Sequence, residues 1–250
     1  MNSSIKVVIP ARYGSSRLPG KPLLILNNKP MYWHVVQRVL EAGIDIENII
    51  VATDDQRILE NATSESIPVI LTAIEHVSGT DRINEVATIK RWQDDVVVVN
   101  VQGDEPLIPS QLISDLAAFT CNNSNFSITT AVSAIKSEED YMDPNVVKAV
   151  LGEENRALYF TRSPCPFNRN NPNNYSQAYR HIGIYAYRVG ALREFCSYPE
   201  SVLEACEKLE QLRALSNGMA IGALVIENAP PHGIDTQKDY EKLKLLMENK

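Results

Sequence analysis

No stretch of the 250 residues is long and apolar enough to span a bilayer, and the longest apolar runs, such as Val96–Val99, have the length of buried strands. Cysteine is scarce. Cys121, Cys165, Cys196 and Cys206 lie far apart with no CxxC spacing, so they read as thiols in a reducing compartment and not as a disulfide framework or zinc site. The four histidines, His34, His76, His181 and His232, form no HExxH or paired-ligand pattern. Positive charge is also in deficit: 24 Lys and Arg face 31 Asp and Glu, a formal net charge of −7. That balance argues against a nucleic-acid partner, which would need a local basic patch against an unfavourable global field. The opening Met1-Asn2-Ser3-Ser4-Ile5-Lys6 lacks the basic, apolar, small-residue layout of a signal peptide, so the expected location is cytoplasmic, with no membrane partner. Acidic small substrates remain open to capture by a few focused cations.

What is present is ordinary for a globular protein, with 44% hydrophobic and 22% charged residues. The length fits one α/β domain over residues 1–250. Strand and helix alternate through the first half. Lys6–Pro10 reads as a strand and Met31–Ala42 as a helix stopped by Gly43. Asn48–Thr53 reads as a strand, and Asp55–Ser66 as a helix that Asp54 can cap. Pro68–Leu71 (strand), Thr80–Trp92 (helix) and Val96–Val101 (strand) follow. The last is apolar on both faces, as at the centre of a parallel sheet. This order predicts a doubly wound, mostly parallel α/β sheet. After about residue 125 the pattern becomes β-rich. Ser127–Ala134 and His181–Tyr187 are strand-like, and Val146–Leu151 and Ala157–Thr161 form an expected antiparallel hairpin. Asn168–Gln177 reads as a polar loop, Leu203–Leu215 as one helix, and Thr236 with Asp239 as the capping box of a last helix.

The segment Pro10-Ala11-Arg12-Tyr13-Gly14-Ser15-Ser16-Arg17-Leu18-Pro19-Gly20-Lys21-Pro22 puts three cations and two glycines directly after the first strand. Glycine lets backbone amides approach an anion, and the cations neutralise phosphate charge. Open α/β sheets bind ligands at this edge. The spacing is neither a Walker A loop nor a GxGxxG fingerprint.

Pro10–Pro22 resembles the nucleotide-binding signature of the sugar-nucleotide pyrophosphorylase and cytidylyltransferase superfamily, and most closely the 3-deoxy-manno-octulosonate (Kdo) cytidylyltransferases. The resemblance continues through Val51-Ala52-Thr53-Asp54-Asp55, Ser78-Gly79-Thr80-Asp81-Arg82 and Val99-Asn100-Val101-Gln102-Gly103-Asp104-Glu105-Pro106. It reaches Ala157–Arg162, His181–Tyr185, Leu209–Arg213 and Gly233-Ile234-Asp235-Thr236. Together these blocks cover nearly the whole chain in family order.

The resemblance implies a nucleotide-diphospho-sugar transferase-like fold, with residues 1–125 mainly for nucleotide, 126–232 for sugar and dimerisation, and 233–250 returning with a metal-ligand turn and helix. It implies transfer of CMP from CTP to Kdo for lipopolysaccharide precursor synthesis, with Mg²⁺ as cofactor and a homodimer as the assembly. Asp104 and Asp235 are implied as the metal ligands, and Lys21 joins them in catalysis. Arg12, Arg17, Lys21, Ser78, Gly79, Arg82 and Gln102 are implied for nucleotide, and Gln102, Arg162, His181, Tyr185, Glu210 and Gln211 for sugar. Glu105 reads as support for the Asp104 loop.

The residues alone leave other readings open. Asp235 equally suits a helix cap, Ser78–Gly79 a turn or cap, His181 and Tyr185 a core, and Glu210 a solvated helix face. The 8-amino analogue of Kdo, sialic acid, or a non-catalytic nucleotide-binding role also remain. The segments Ser163-Pro164-Cys165-Pro166 and Thr72-Ala73-Ile74-Glu75-His76-Val77 depart from the family pattern.

Overall fold

The computed structural model describes residues 5–14, 18–76, 78–231, 233–234 and 236–248. The chain divides into two units, residues 1–115 with 230–250, and residues 116–229.

The first unit opens with β1 (Ile5–Pro10), a short β2–β3 ribbon (Ile25–Leu26, Lys29–Pro30) and α1 (Met31–Glu41). Met31, Tyr32, Val35, Val36 and Val39 of α1 are buried, the helical spacing of one apolar face. The chain leaves it through Gly43 at φ +82°, a backbone region glycine occupies without strain. Then come β4 (Ile49–Thr53), α2 (Gln56–Ser64), β5 (Val69–Leu71), α3 (Gly79–Ile89), β6 (Val97–Asn100) and α4 (Ser110–Asn122). Within this unit the strands run β6-β1-β4-β5, each pair parallel, so the anticipated alternation builds the anticipated sheet. All of β4 and β6 are buried, as their unbroken apolar runs require.

One cap differs from expectation. Asp55, not Asp54, caps α2 by accepting the Arg57 N–H at 2.9 Å. Asp54 is otherwise engaged, since its carboxylate accepts from Arg82 Nη2 at 2.7 Å.

The second unit holds β7 (Ile128–Ala134), α5 (Glu138–Met142), the antiparallel β8–β9 hairpin (Lys148–Leu151, Ala157–Thr161) and β10 (Tyr179–Arg188). It continues with α6 (Val189–Ser197), α7 (Val202–Glu207), α8 (Gln211–Ser216) and β11 (Ile221–Ile226). β7 pairs antiparallel with β10 and parallel with β11, and β8 adds to β10. The helix anticipated over Leu203–Leu215 is two helices, broken where Lys208 turns left-handed at φ +52°. The break lets Arg213 return to Glu204, with Nε at 2.9 Å and Nη2 at 2.6 Å from its carboxylate oxygens. Nine residues of straight helix would set the two Cα atoms about 13.5 Å apart along the axis.

The chain then re-enters the first unit and ends in α9 (Gln237–Glu248). Thr236 and Asp239 form the reciprocal cap expected there: the Asp239 carboxylate accepts Thr236 N–H at 2.9 Å, and Thr236 Oγ1 accepts Asp239 N–H at 3.2 Å.

Candidate active site

In the first unit two chain segments converge on Pro10, the last residue of β1. A Cβ on Gly103 would stand 2.7 Å from the Pro10 carbonyl oxygen, so only glycine lets the loop after β6 approach this closely. A Cβ on Gly79 would stand 3.5 Å from Pro10 Cγ, which places the α3 N-terminus at the same strand end. Arg12 follows two residues later and is exposed. Gln102 is half-buried, its amide donating to Asn100 Oδ1 at 3.5 Å.

Lys21 and Asp104 meet in this region. The Lys21 ammonium pairs with Asp104 Oδ2 and donates to the Ile234 carbonyl at 2.7 Å. Lys21 is only 8% exposed, whereas the Asp104 side chain keeps 30% of its surface open. The Ile234 N–H in turn donates to the Asp104 carbonyl at 3.0 Å, so the segment returning before α9 is stitched directly to the loop after β6. Glu105, expected to support that loop, has its Cγ 3.3 Å from where a Cβ on Gly233 would be. Asp235 and Arg17, both anticipated site residues, lie outside the described residues.

Ser78 caps α3: its hydroxyl accepts Asp81 N–H at 3.2 Å and donates to Asp81 Oδ2 at 2.9 Å. Gly79 is the first helical residue. Arg82, one turn further, is 2% exposed and pairs with Asp54 and the Thr72 hydroxyl. Its guanidinium ties the ends of β4 and β5 together.

The second unit holds five of the six anticipated sugar-side residues, Gln102 lying in the first. His181 and Tyr185 flank a bulge in β10, and their rings are 5.4 Å apart. The His181 ring also stands edge-on to Phe160 at 5.0 Å, and its Nε2 lies 2.9 Å from Thr130 Oγ1. Thr130 Oγ1 lies 2.8 Å from the Ile184 carbonyl and 3.1 Å from the Ile182 carbonyl, so its one hydrogen goes to a carbonyl and the imidazole donates to it from Nε2. Burial pushes its pKa from 6.5 down to about 3.

Burial also raises the Tyr185 phenol well above its ordinary value, with the Tyr187 and Glu210 charges adding to the shift. Glu210 immediately precedes α8, and Gln211 opens it. The buried Tyr185 hydroxyl and Gln211 amide nitrogen make no hydrogen bond among the described residues. Such groups are costly to leave unsatisfied.

Arg162, just past β9, donates from Nε to the Glu207 carbonyl at 2.7 Å and from Nη1 to the Pro144 carbonyl at 2.9 Å. The sequence reading misses Glu207, which binds Thr161, Tyr159 and the Arg162 N–H. A single glutamate within a helical stretch carries no pattern that separates it from a solvated surface charge.

Residues 6–221 match the family described as cytidylyltransferase. A 3-deoxy-manno-octulosonate cytidylyltransferase of Acinetobacter baumannii (strain AYE) is 45% identical over 243 residues, covering 95% of either chain. A protein of the same name from Alteromonas mediterranea is 47% identical over 246 residues, covering 96% of this chain and 98% of that one. The solved structure of a CMP:2-keto-3-deoxy-manno-octonic acid synthetase complexed with CTP superposes with a TM-score of 0.90 at 40% identity, over 99% of each chain. A cytidylyltransferase from Leptospira borgpetersenii, with a TM-score of 0.64 and 17% identity over 100% of this chain and 88% of that one, shares the fold. The fold thus agrees with that of nucleotidyltransferases, and the chain belongs to the cytidylyltransferase family.

Proposed function

We propose that the protein joins CMP from CTP to the anomeric hydroxyl of Kdo and releases pyrophosphate, making CMP-Kdo for lipopolysaccharide precursor synthesis. The observation that carries this reading is the Lys21 ammonium held between Asp104 and the Ile234 carbonyl, at the end of β6, in a chain so similar to proteins named for that reaction. The hydroxyl oxygen forms a bond to the α-phosphorus as the bond to pyrophosphate breaks, and the hydroxyl proton is released.

The first unit supplies groups suited to CTP. Arg12, Arg17 and Lys21 provide charge for the triphosphate, and Lys21 is pre-oriented to meet charge that develops during transfer. The α3 N-terminus, with Ser78 and Gly79, and the Gln102 amide offer fixed donors and acceptors for the cytosine ring and neighbouring oxygens. Arg82 fastens α3 to the residue after β4 through Asp54.

The Asp104 carboxylate fits Mg²⁺ as a hard, partly exposed oxygen donor whose bond to Lys21 engages Oδ2. Mg²⁺ usually takes one or two protein carboxylates and completes its shell with water and phosphate oxygens, which suits Asp104 with Asp235. When bound, the ion supplies Lewis-acid charge at the phosphate oxygens.

The second unit carries groups suited to an acid sugar. The Arg162 guanidinium matches a carboxylate, and the unsatisfied Tyr185 hydroxyl and Gln211 amide match sugar hydroxyls, with His181 and Glu210 beside them. The protein works in the cytoplasm as a homodimer in this reading. No helix among the described residues is long and apolar enough to cross a membrane. Light scattering reads the mass directly.

Mass spectrometry of the product formed from CTP, Kdo and Mg²⁺ tests the proposal. A CMP-Kdo mass is expected. Intact CTP and Kdo after prolonged incubation with folded protein would overturn it.

A further inference from the structure

Glu207, the last residue of α7, is a hub for the end of β9. Its Oε1 accepts from Thr161 Oγ1 at 2.8 Å and Tyr159 OH at 3.3 Å, and its Oε2 accepts the Arg162 N–H at 2.7 Å. Its own carbonyl accepts Arg162 Nε–H at 2.7 Å. One residue therefore fixes Arg162 by both main chain and side chain.

The choice of partners matters. All three donors to the Glu207 carboxylate are neutral, and both acceptors of the Arg162 guanidinium are backbone carbonyls, of Glu207 and Pro144. The buried Lys148 ammonium is likewise held by a carbonyl, that of Asp143 at 2.8 Å. Among the described residues Arg162 is thus immobilised without an ion pair that would cancel its charge, and Nη2 makes neither of those bonds. A guanidinium so held is prepared for an anionic ligand, because little side-chain freedom remains to be lost on pairing.

We propose that Glu207 is a positioning residue for the acid sugar: it sets Arg162 so that the Nη2 edge receives the sugar carboxylate. This rests on the placement of the sugar at Arg162 proposed above. The role is geometric. It requires the reach of the Glu207 side chain and not its charge.

Two substitutions separate those properties. Glu207→Asp keeps the charge and loses one methylene of reach. Glu207→Gln keeps the reach, since its Oε1 can take the Arg162 N–H while its amide donates to the Thr161 and Tyr159 oxygens. Initial rates are measured with Kdo varied at saturating CTP and then the reverse, with Arg162→Ala alongside. Glu207→Asp should raise the KM for Kdo about tenfold, the loss expected when a charged pairing is misaligned. Its KM for CTP should stay at the wild-type value, and Glu207→Gln should lie within about threefold of wild type in both. If Glu207→Gln shows the defect and Glu207→Asp does not, charge is the operative property and the inference fails. It fails equally if both KM values rise together, or if neither variant changes the KM for Kdo while Arg162→Ala raises it. An unaltered KM for Kdo in Arg162→Ala would displace the sugar from Arg162 and overturn the placement and the positioning role together.

Discussion

Lys21 and Asp104, 83 positions apart in the chain, share an ion pair, and the same ammonium donates to the carbonyl of Ile234 at 2.7 Å. Three segments remote in sequence are thus fastened at one point: the loop after β1, the loop after β6 and the return before α9. The pair is asymmetric in exposure, with the lysine buried and the carboxylate partly open. That asymmetry suits a carboxylate that faces ligand and a lysine held by protein.

Asp104→Asn preserves shape while removing the charge that faces solvent and Lys21. Pyrophosphate release should fall by at least ~100-fold, the scale of losing a preorganised electrostatic group, while the thermal midpoint shifts by no more than a few degrees. Near-normal turnover at saturating magnesium would remove Asp104 from the chemistry.

Gly103→Ala tests how closely the site loop must approach β1. The added Cβ would lie 2.7 Å from a backbone oxygen, which no side-chain rotation can relieve. A loss of about 1–3 kcal/mol in urea unfolding is expected, together with reduced turnover from a displaced Asp104. Unchanged stability would mean that the loop has room to move.

Arg213→Met should cost about 3–5 kcal/mol in denaturant unfolding, because it strands the buried Glu204 carboxylate that α7 and α8 share. Replacing both partners with apolar residues should recover much of that loss. A single variant as stable as wild type would contradict a fully desolvated pair.

The buried imidazole of His181 gives a pH signature. With its folded pKa pushed from 6.5 to about 3, only the unfolded chain takes up a proton there as pH falls through about 6.5. His181 therefore erodes stability progressively below about pH 6.5, and His181→Gln does not. Between about pH 7.5 and 5, the melting temperature of the variant should gain several degrees relative to wild type. A constant difference across that range would mean that His181 titrates alike in both states.

How much of this was legible in the sequence depends on the range of the interactions. The parallel strands of the first unit announce themselves, because Val97–Asn100 and Ile49–Thr53 are buried on both faces and leave unbroken apolar runs. The Thr236–Asp239 cap is local and equally readable. The Asp54 cap is misread because its true partner, Arg82, lies 28 residues away, and the break at Lys208 is hidden because it serves the Glu204–Arg213 pair. The same limit applies to function. Lys21, Asp104, Arg162 and Tyr185 stand in recognisable blocks. Glu207 gains its meaning only from Thr161, Tyr159 and Arg162, which approach it from the end of β9.

The most direct measurement is pyrophosphate release from CTP with magnesium, comparing Kdo, its 8-amino analogue, sialic acid and no sugar. Rapid release with Kdo and little with the others is the expected result. Release with the amino sugar in preference to Kdo would retain the cytidylyl transfer and change the substrate, whereas no release with any sugar, from folded protein that binds CTP, would contradict the proposed reaction.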